Sequence, residues 1–186
     1  MSGTSSAIAA ILFISSAAGQ ATLSQFAPLS VSRVSTFGEN PIELGVHSGL
    51  LKLPFFGVFD HLAYAVEGDT VILFGQVMNP NLIGDAADVA WTVPGVNRVV
   101  NRIRFLPDSP ADNRIRLAIF SAIYSHPSLR HYAFWGGGGA IHIVVEGGAV
   151  SLEGEVPSNA VARLACERAS TVPGVAKIAS HLTIGQ

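Results

Sequence analysis

The pentapeptide TVPGV occurs at Thr92–Val96 and again at Thr171–Val175, 79 residues further along. Laid on itself at that offset, the chain aligns Leu62–Ile103 with Ile141–Leu182 without a gap, and 14 of the 42 pairs are identical. Many of the rest are conservative, such as Leu62/Ile141, Arg98/Lys177, Val99/Ile178 and Ile103/Leu182. A match of that length is a tandem duplication, so whatever the chain folds into is built twice from one unit. A length of 186 residues accommodates two small domains.

The unit can be read element by element. In the first copy Asn40 is placed to cap a helix, Pro41 suits its first turn, and Glu43 completes an Asn-x-x-Glu capping box. Ile42, Val46, Leu50 and Leu53 then recur at helical spacing. In the second copy Asp112 is the expected cap of a helix carrying Ile115, Ile119, Ala122 and Ile123, ending near Pro127. Two strands follow. Ile141, Ile143 and Val145 alternate with His142, Val144 and Glu146; after the turn at Glu146-Gly147-Gly148, Val150, Leu152, Gly154 and Val156 alternate with Ser151, Glu153 and Glu155. That pattern predicts a hairpin with one buried face. A second helix with Val161, Ala165, Ala169 and Val172 along one side leads to Pro173-Gly174 and a last strand, Val175–Ile184. TVPGV is then the corner from helix to strand. The expected class is α+β: two tandem αββαβ domains at 39–106 and 111–185, each a small mixed three-stranded sheet with two helices on one face.

The order Val-Glu-Gly-x-x-Val-x-Leu-x-Gly-x-Val, then Val-Pro-Gly-Val after fifteen further residues, stands in both copies. In this the chain resembles the BON domain family, found in osmotically induced and other envelope proteins of bacteria. The resemblance covers about 39–105 and 112–184. It implies αββαβ folds, usually in the periplasm, with a proposed role in binding phospholipid surfaces or other envelope components. It brings no catalytic residues and no cofactor.

The N-terminus points to the same compartment. Ala7–Ile14 is a short apolar run followed by small residues, and cleavage after Ala18 or Ala21 satisfies the small-x-small rule. Residues 1–21 are therefore expected to be a signal peptide, although no Lys or Arg precedes the run, and 22–38 a linker. The run is too short to span a bilayer, which takes about 20 apolar residues. The protein is expected in the periplasm or secreted. A net charge of −2 offers nucleic acid no bulk attraction, and the single cysteine, Cys166, excludes an internal disulfide.

Chemistry-bearing motifs are lacking. There is no His-Glu-x-x-His, Gly-x-Ser-x-Gly, phosphate loop or Cys-x-x-Cys. Of six histidines only His126 and His131 are neighbours, without a third ligand, so no metal site is expected. Three features remain. Arg98, Arg102, Arg104, Arg114 and Arg116 place five of eleven cationic residues within 19 positions, a concentration that would attract anionic head groups. Next, Leu129–Trp135 sets Arg130, Tyr132, Phe134 and Trp135 before a glycine run, in a connection six residues longer than its counterpart in the first copy. That stretch suits either a membrane interface or a lid over the domain's own core. Third, where the second copy has Ser151, Glu153 and Glu155 on its outward strand face, the first has Ile72, Phe74 and Gln76, beside Ala63 and Ala65. Such an apolar outward face calls for a cover: the other domain, the N-terminal segment or a partner.

The expected function is non-enzymatic: paired domains on a phospholipid surface or other envelope component, through Arg114, Arg116, Arg130, Tyr132, Phe134 and Trp135. The alternative is a module bridging envelope proteins through the apolar face at Ile72 and Phe74.

Overall fold

The computed structural model describes residues 29–30, 40–134 and 140–185. The signal-peptide reading of residues 1–21 lies outside them, as does most of the stretch read as a linker. Each copy is an αββαβ unit. In the first, helix α1 (Pro41–Leu50) precedes strands β2 (His61–Glu67) and β3 (Thr70–Val77), helix α2 (Asn81–Thr92) and strand β4 (Arg98–Phe105). In the second, α3 (Pro110–Tyr124) is followed by a 3-10 turn at Arg130–Phe134, then β5 (Ile141–Glu146), β6 (Ala149–Val156), α4 (Asn159–Ser170) and β7 (Lys177–Ile184). Each hairpin pairs antiparallel and each last strand joins its hairpin in parallel, giving the order β5-β6-β7 in the second sheet. The first sheet gains a fourth member: β1 (Leu29–Ser30), within the expected linker, pairs antiparallel with β2 opposite Tyr64 and Ala63.

Local chemistry explains the element ends. The Asn40 side chain accepts from the Ile42 amide at 3.0 Å, with Pro41 in the first turn of α1. α3 departs from expectation: Ser109, not Asp112, is its cap, accepting from the Asp112 amide at 3.2 Å, with Pro110 next. With the cap supplied three residues earlier, the Asp112 carboxylate is free to face the sheet. Its two oxygens accept from the Gly147 and Gly148 amides, both at 2.9 Å, and fasten the β5–β6 turn to the helix. The TVPGV corners are the same in both copies. Gly95 and Gly174 have φ of 93° and 92°, and each lies over the first isoleucine of its own first helix, Ile42 or Ile115.

Alternation along the strands produces two separate cores on the helix side of each sheet. Leu62, Tyr64, Val71, Leu73 and Val77 pack with Val46, Leu50, Leu82 and Ala86. Ile141, Ile143, Val145, Val150 and Leu152 pack with Ile119, Ile123, Ala165 and Ala169. At about 1.5–3 kcal/mol for each large aliphatic side chain, this burial is the main driving force for each unit. The small residues on α2 and α4 let those helices lie close on their sheets.

The outward faces of the sheets also meet. His61 and Arg104 share one register row across β2, β3 and β4 through Gln76. His61 lies 3.9 Å from Glu153 of β6, and Arg104 bonds Glu146 of β5 at 3.1 Å. β5 therefore runs across the strands of the first sheet rather than along them. Ala63, Ala65 and Ile72 of the first sheet and Val144 of the second are buried although none belongs to either core.

Candidate functional site

Of the six residues expected to face a membrane, the four whose side chains are described do not form one surface. Arg114 is exposed on the first turn of α3, its Nε donating to the Pro110 carbonyl at 3.1 Å, and Arg130 is exposed on the 3-10 turn. Arg116 is a correction, because it is only 2 % exposed. Its guanidinium turns inward, donating to the Val145 carbonyl and, at 2.5 Å, to Asn113 Oδ1. Asp112, Asp108 and Asp60 surround it electrostatically. A strand carbonyl and the Asn113 amide oxygen hold this cation inside, with three carboxylates near, so it is not presented to a head group. Tyr132 is the second correction: at 7 % exposure it sits in the second core, its ring 3.9 Å from that of His131. It serves the domain's interior, the other reading its sequence allowed. The side chain of Phe134, and Trp135 altogether, lie outside the described residues. On the first sheet Ile72 is 5 % exposed, and Phe74 is half-buried beneath the Arg102 guanidinium, 5.9 Å from its ring centroid.

Of the five clustered arginines, three stand on one side of β4. Arg98, Arg102 and Arg104 are all exposed and alternate with Val99 and Ile103, which turn inward. β4 ends its sheet, so the row follows an open edge. At about 3.3 Å per residue the row is roughly 20 Å long.

The most elaborated polar arrangement lies between the domains, around residues that the sequence does not single out. The loop after α1 reaches over to the second domain. Phe56 stacks on His142 with centroids 5.2 Å apart, Gly57 offers its carbonyl to His142 Nδ1 at 3.1 Å, and Val58 accepts from the Ile143 amide at 2.8 Å. Phe59 lies edge-on to Phe120, 6.1 Å between centroids. Asp60 braces this loop from within, taking the Gly57 amide at 2.9 Å and the Met78 amide at 2.7 Å. Burial pushes its carboxyl up in spite of those amides and of Arg116.

His142, Glu153 and His181 occupy one register row across β5, β6 and β7, and His61 of β2 faces them from the first domain. Glu153 accepts from His181 Nδ1 at 2.7 Å and from the Ser151 hydroxyl at 2.5 Å. Its side chain is only 13 % exposed, so the outward face whose sequence is polar is part of the junction here. Although serine, histidine and carboxylate stand together, they cannot work as a hydrolytic relay. Ser151 and His181 both reach the same oxygen of Glu153, and the one histidine nitrogen near Ser151 is the one that donates to the carboxylate. A relay needs the opposite ring nitrogen to receive the serine proton. Among the described residues no group of histidine, cysteine and carboxylate side chains is arranged to hold a metal ion.

Two αββαβ units with the repeated glycine corners define the class of protein. The BON domain matches at residues 42–107 and 111–186, and the chain belongs to that family. Two solved structures are similar. One is CdsD, a structural protein of the type III secretion system of Chlamydia trachomatis, at 9 % identity and a TM-score of 0.30, covering 77 % of this chain and 91 % of that one. The other is the C-terminal domain of CdsD, at 9 % identity and a TM-score of 0.27, covering 81 % and 100 %. Likenesses of that size say nothing about function. Comparison with curated proteins finds no match. No described helix is long and apolar enough to cross a membrane.

Signals for the junction are present in the sequence in part. Once β6 and β7 are known to be parallel neighbours, the offset of 28 between Glu153 and His181 puts them side by side. The aromatic loop at Phe55–Phe59 stands out only as the shorter counterpart of the 129–135 stretch, and nothing in its residues says which surface it meets.

Proposed function

We propose that the chain is a non-catalytic envelope protein whose two BON domains, joined as one body, dock on anionic phospholipid surfaces of the periplasm. The observation that carries this reading is the exposed row Arg98, Arg102 and Arg104 along the open edge of β4, in a chain whose net charge is only −2. Three of the chain's eleven cationic residues stand together there. Arg114 and Arg130 remain candidates on the second domain, and Phe134 and Trp135 on sequence grounds. Arg104 is engaged by Glu146, but that pair is solvent-exposed and so weak that a head-group phosphate can compete for it. At about 1 kcal/mol per cation near a charged membrane, the row supplies roughly 2–3 kcal/mol, one to two powers of ten in affinity. Docking is then salt-sensitive and reversible.

Co-sedimentation of the chain with phosphatidylglycerol vesicles, against phosphatidylcholine vesicles, tests it. Binding to the former alone is expected at low salt, falling as ionic strength rises, and abolished by Arg98→Glu with Arg102→Glu. Absence of binding at low salt, or binding indifferent to the double substitution, removes the phospholipid reading and leaves a protein component of the envelope as the target.

A further inference from the structure

The junction buries more titratable groups than it needs for adhesion. His142 is fully buried, and because a carbonyl can only accept, its Nδ1 carries the proton given to Gly57. Its Nε2 is buried without a partner, as is His61 Nδ1. The groups facing His142 come from every packed element. His61 comes from β2, Glu153 from β6 with His181 of β7 behind it, and the Phe56 ring and the Asp60 backbone from the loop. The Asp60 carboxylate is taken up by Met78, Gly57 and the neighbouring Arg116 of α3. A second proton on His142 would therefore be a buried charge beside another histidine. An apolar or uncharged polar residue would have held the same place without that hazard.

We propose that the His61–His142–Glu153–His181 cluster is an acid-sensitive latch between the two domains. With His142 neutral, the 53–60 loop is clamped on β5 by the Gly57 and Val58 carbonyls; a proton on Nε2 releases the loop and separates the outward faces of the sheets. Burial, then the nearby His61, hold the His142 pKa down at about 4 against an ordinary 6.5, while the Gly57 and Asp60 backbones and Glu153 only partly offset them. The sign follows. A released His142 titrates at its ordinary value and a clamped one only near 4, so the latch is fully closed above pH 6.5 and weakens as pH falls from 6.5 towards 4. Each step of one in pH across that window favours the released form about tenfold, so its population grows on the order of a hundredfold in all. Release uncovers Val144, Val58, Phe59 and Phe120, so acid would change which apolar surface the protein presents.

Amide hydrogen exchange of the full chain between pH 7.5 and 4.5, each rate divided by its intrinsic rate at that pH, tests the latch. The Ile143 amide bonds across the junction and is the reporter; Leu73 and Leu152, inside their own sheets, are references. Protection at Ile143 is expected to fall about tenfold or more beyond any change at the references. His142→Asn keeps a donor for Gly57 but cannot take the proton, and should shrink the pH dependence to the part that His61, also held down by burial, retains; an undiminished dependence in that variant also overturns the proposal. Should that variant fail to fold, the unmodified chain still decides: equal loss at reporter and references, or no loss at Ile143, overturns the proposal.

Discussion

Gly75 and Gly154 occupy the same place in the two hairpins and make the most exacting test of the repeated unit. A Cβ on Gly75 would lie 1.9 Å from the His61 carbonyl oxygen, and one on Gly154 would lie 2.1 Å from that of Ala140. Both contacts are to backbone, so no side chain can swing away. An ordinary contact needs more than 3 Å, and the hairpin strands would have to part by roughly 1 Å to grant it. The φ angles, 133° and 125°, add strain, since this region is essentially reserved for glycine and costs other residues about 1–3 kcal/mol. Loosening one or two buried ladder hydrogen bonds adds about 1–2 kcal/mol each. Gly75→Ala and Gly154→Ala should then each destabilise their domain by about 3–5 kcal/mol, a large part of the roughly 5–15 kcal/mol that holds a typical domain folded. Gly68→Ala and Gly147→Ala are the controls. Their φ values are 63° and 59° with nothing within 4 Å of the new methyl, so only the left-handed backbone penalty of about 1–2 kcal/mol applies. Urea denaturation of the four variants reads the difference. If Gly75→Ala and Gly154→Ala cost no more than their controls, the strands are not pinched together at this point and the account of the hairpin fails.

Two further substitutions separate structure from surface. Arg116→Met leaves the Val145 carbonyl without its donor and removes the cation near Asp112 and Asp60. It should cost about 1–3 kcal/mol in urea melts while the folded protein keeps its vesicle affinity; a loss of vesicle affinity without loss of stability would return Arg116 to the membrane surface. Asp112→Asn keeps the shape of a residue that joins α3 to the β5–β6 turn, but an amide oxygen cannot hold both glycine amides as a carboxylate does, so about 1–3 kcal/mol should be lost at pH 7. Burial alone would raise the Asp112 pKa, but the Gly147 and Gly148 amides, with Ser109 and Arg116, outweigh it and hold the group below 3.8. Its stabilisation is therefore complete above pH 3.8 and disappears as pH falls through the lower folded value. The gap between wild type and Asp112→Asn in urea midpoints should close in that acid range, and a gap that persists there contradicts the carboxylate's assigned role.

The unit itself is legible because its signals are local. Alternation in Val71, Leu73 and Val77 and in Val150, Leu152 and Val156 needs only the two-residue strand repeat to assign a buried face. The corner at Gly95 and Gly174 needs only a backbone angle that glycine tolerates. Where local signals compete, the sequence misleads: Ser109 and Asp112 are both good caps, and the choice between them turns on the β5–β6 turn, 35 residues beyond Asp112 at Gly147. Arg116 looks in the sequence like any surface arginine. Its burial goes with its bonds to Asn113 and to the Val145 carbonyl of its own sheet, and with Asp60 of the other domain nearby; the last two are brought to it only by tertiary packing.

Two αββαβ units, their strand faces and corners, and membership of the BON family can be read from the residues alone, because each depends on neighbours within a turn or a hairpin. What the outward faces do depends on how the two sheets pack against each other. A strand's alternation says which residues point away from the helices, but not whether water or another sheet waits on that side. His142, Glu153 and Val144 alternate as solvent-facing residues should, yet His142 and Val144 are buried and Glu153 is largely covered because β5 crosses the first sheet. The arginines of β4, on the same kind of face, stay exposed because their strand ends its sheet.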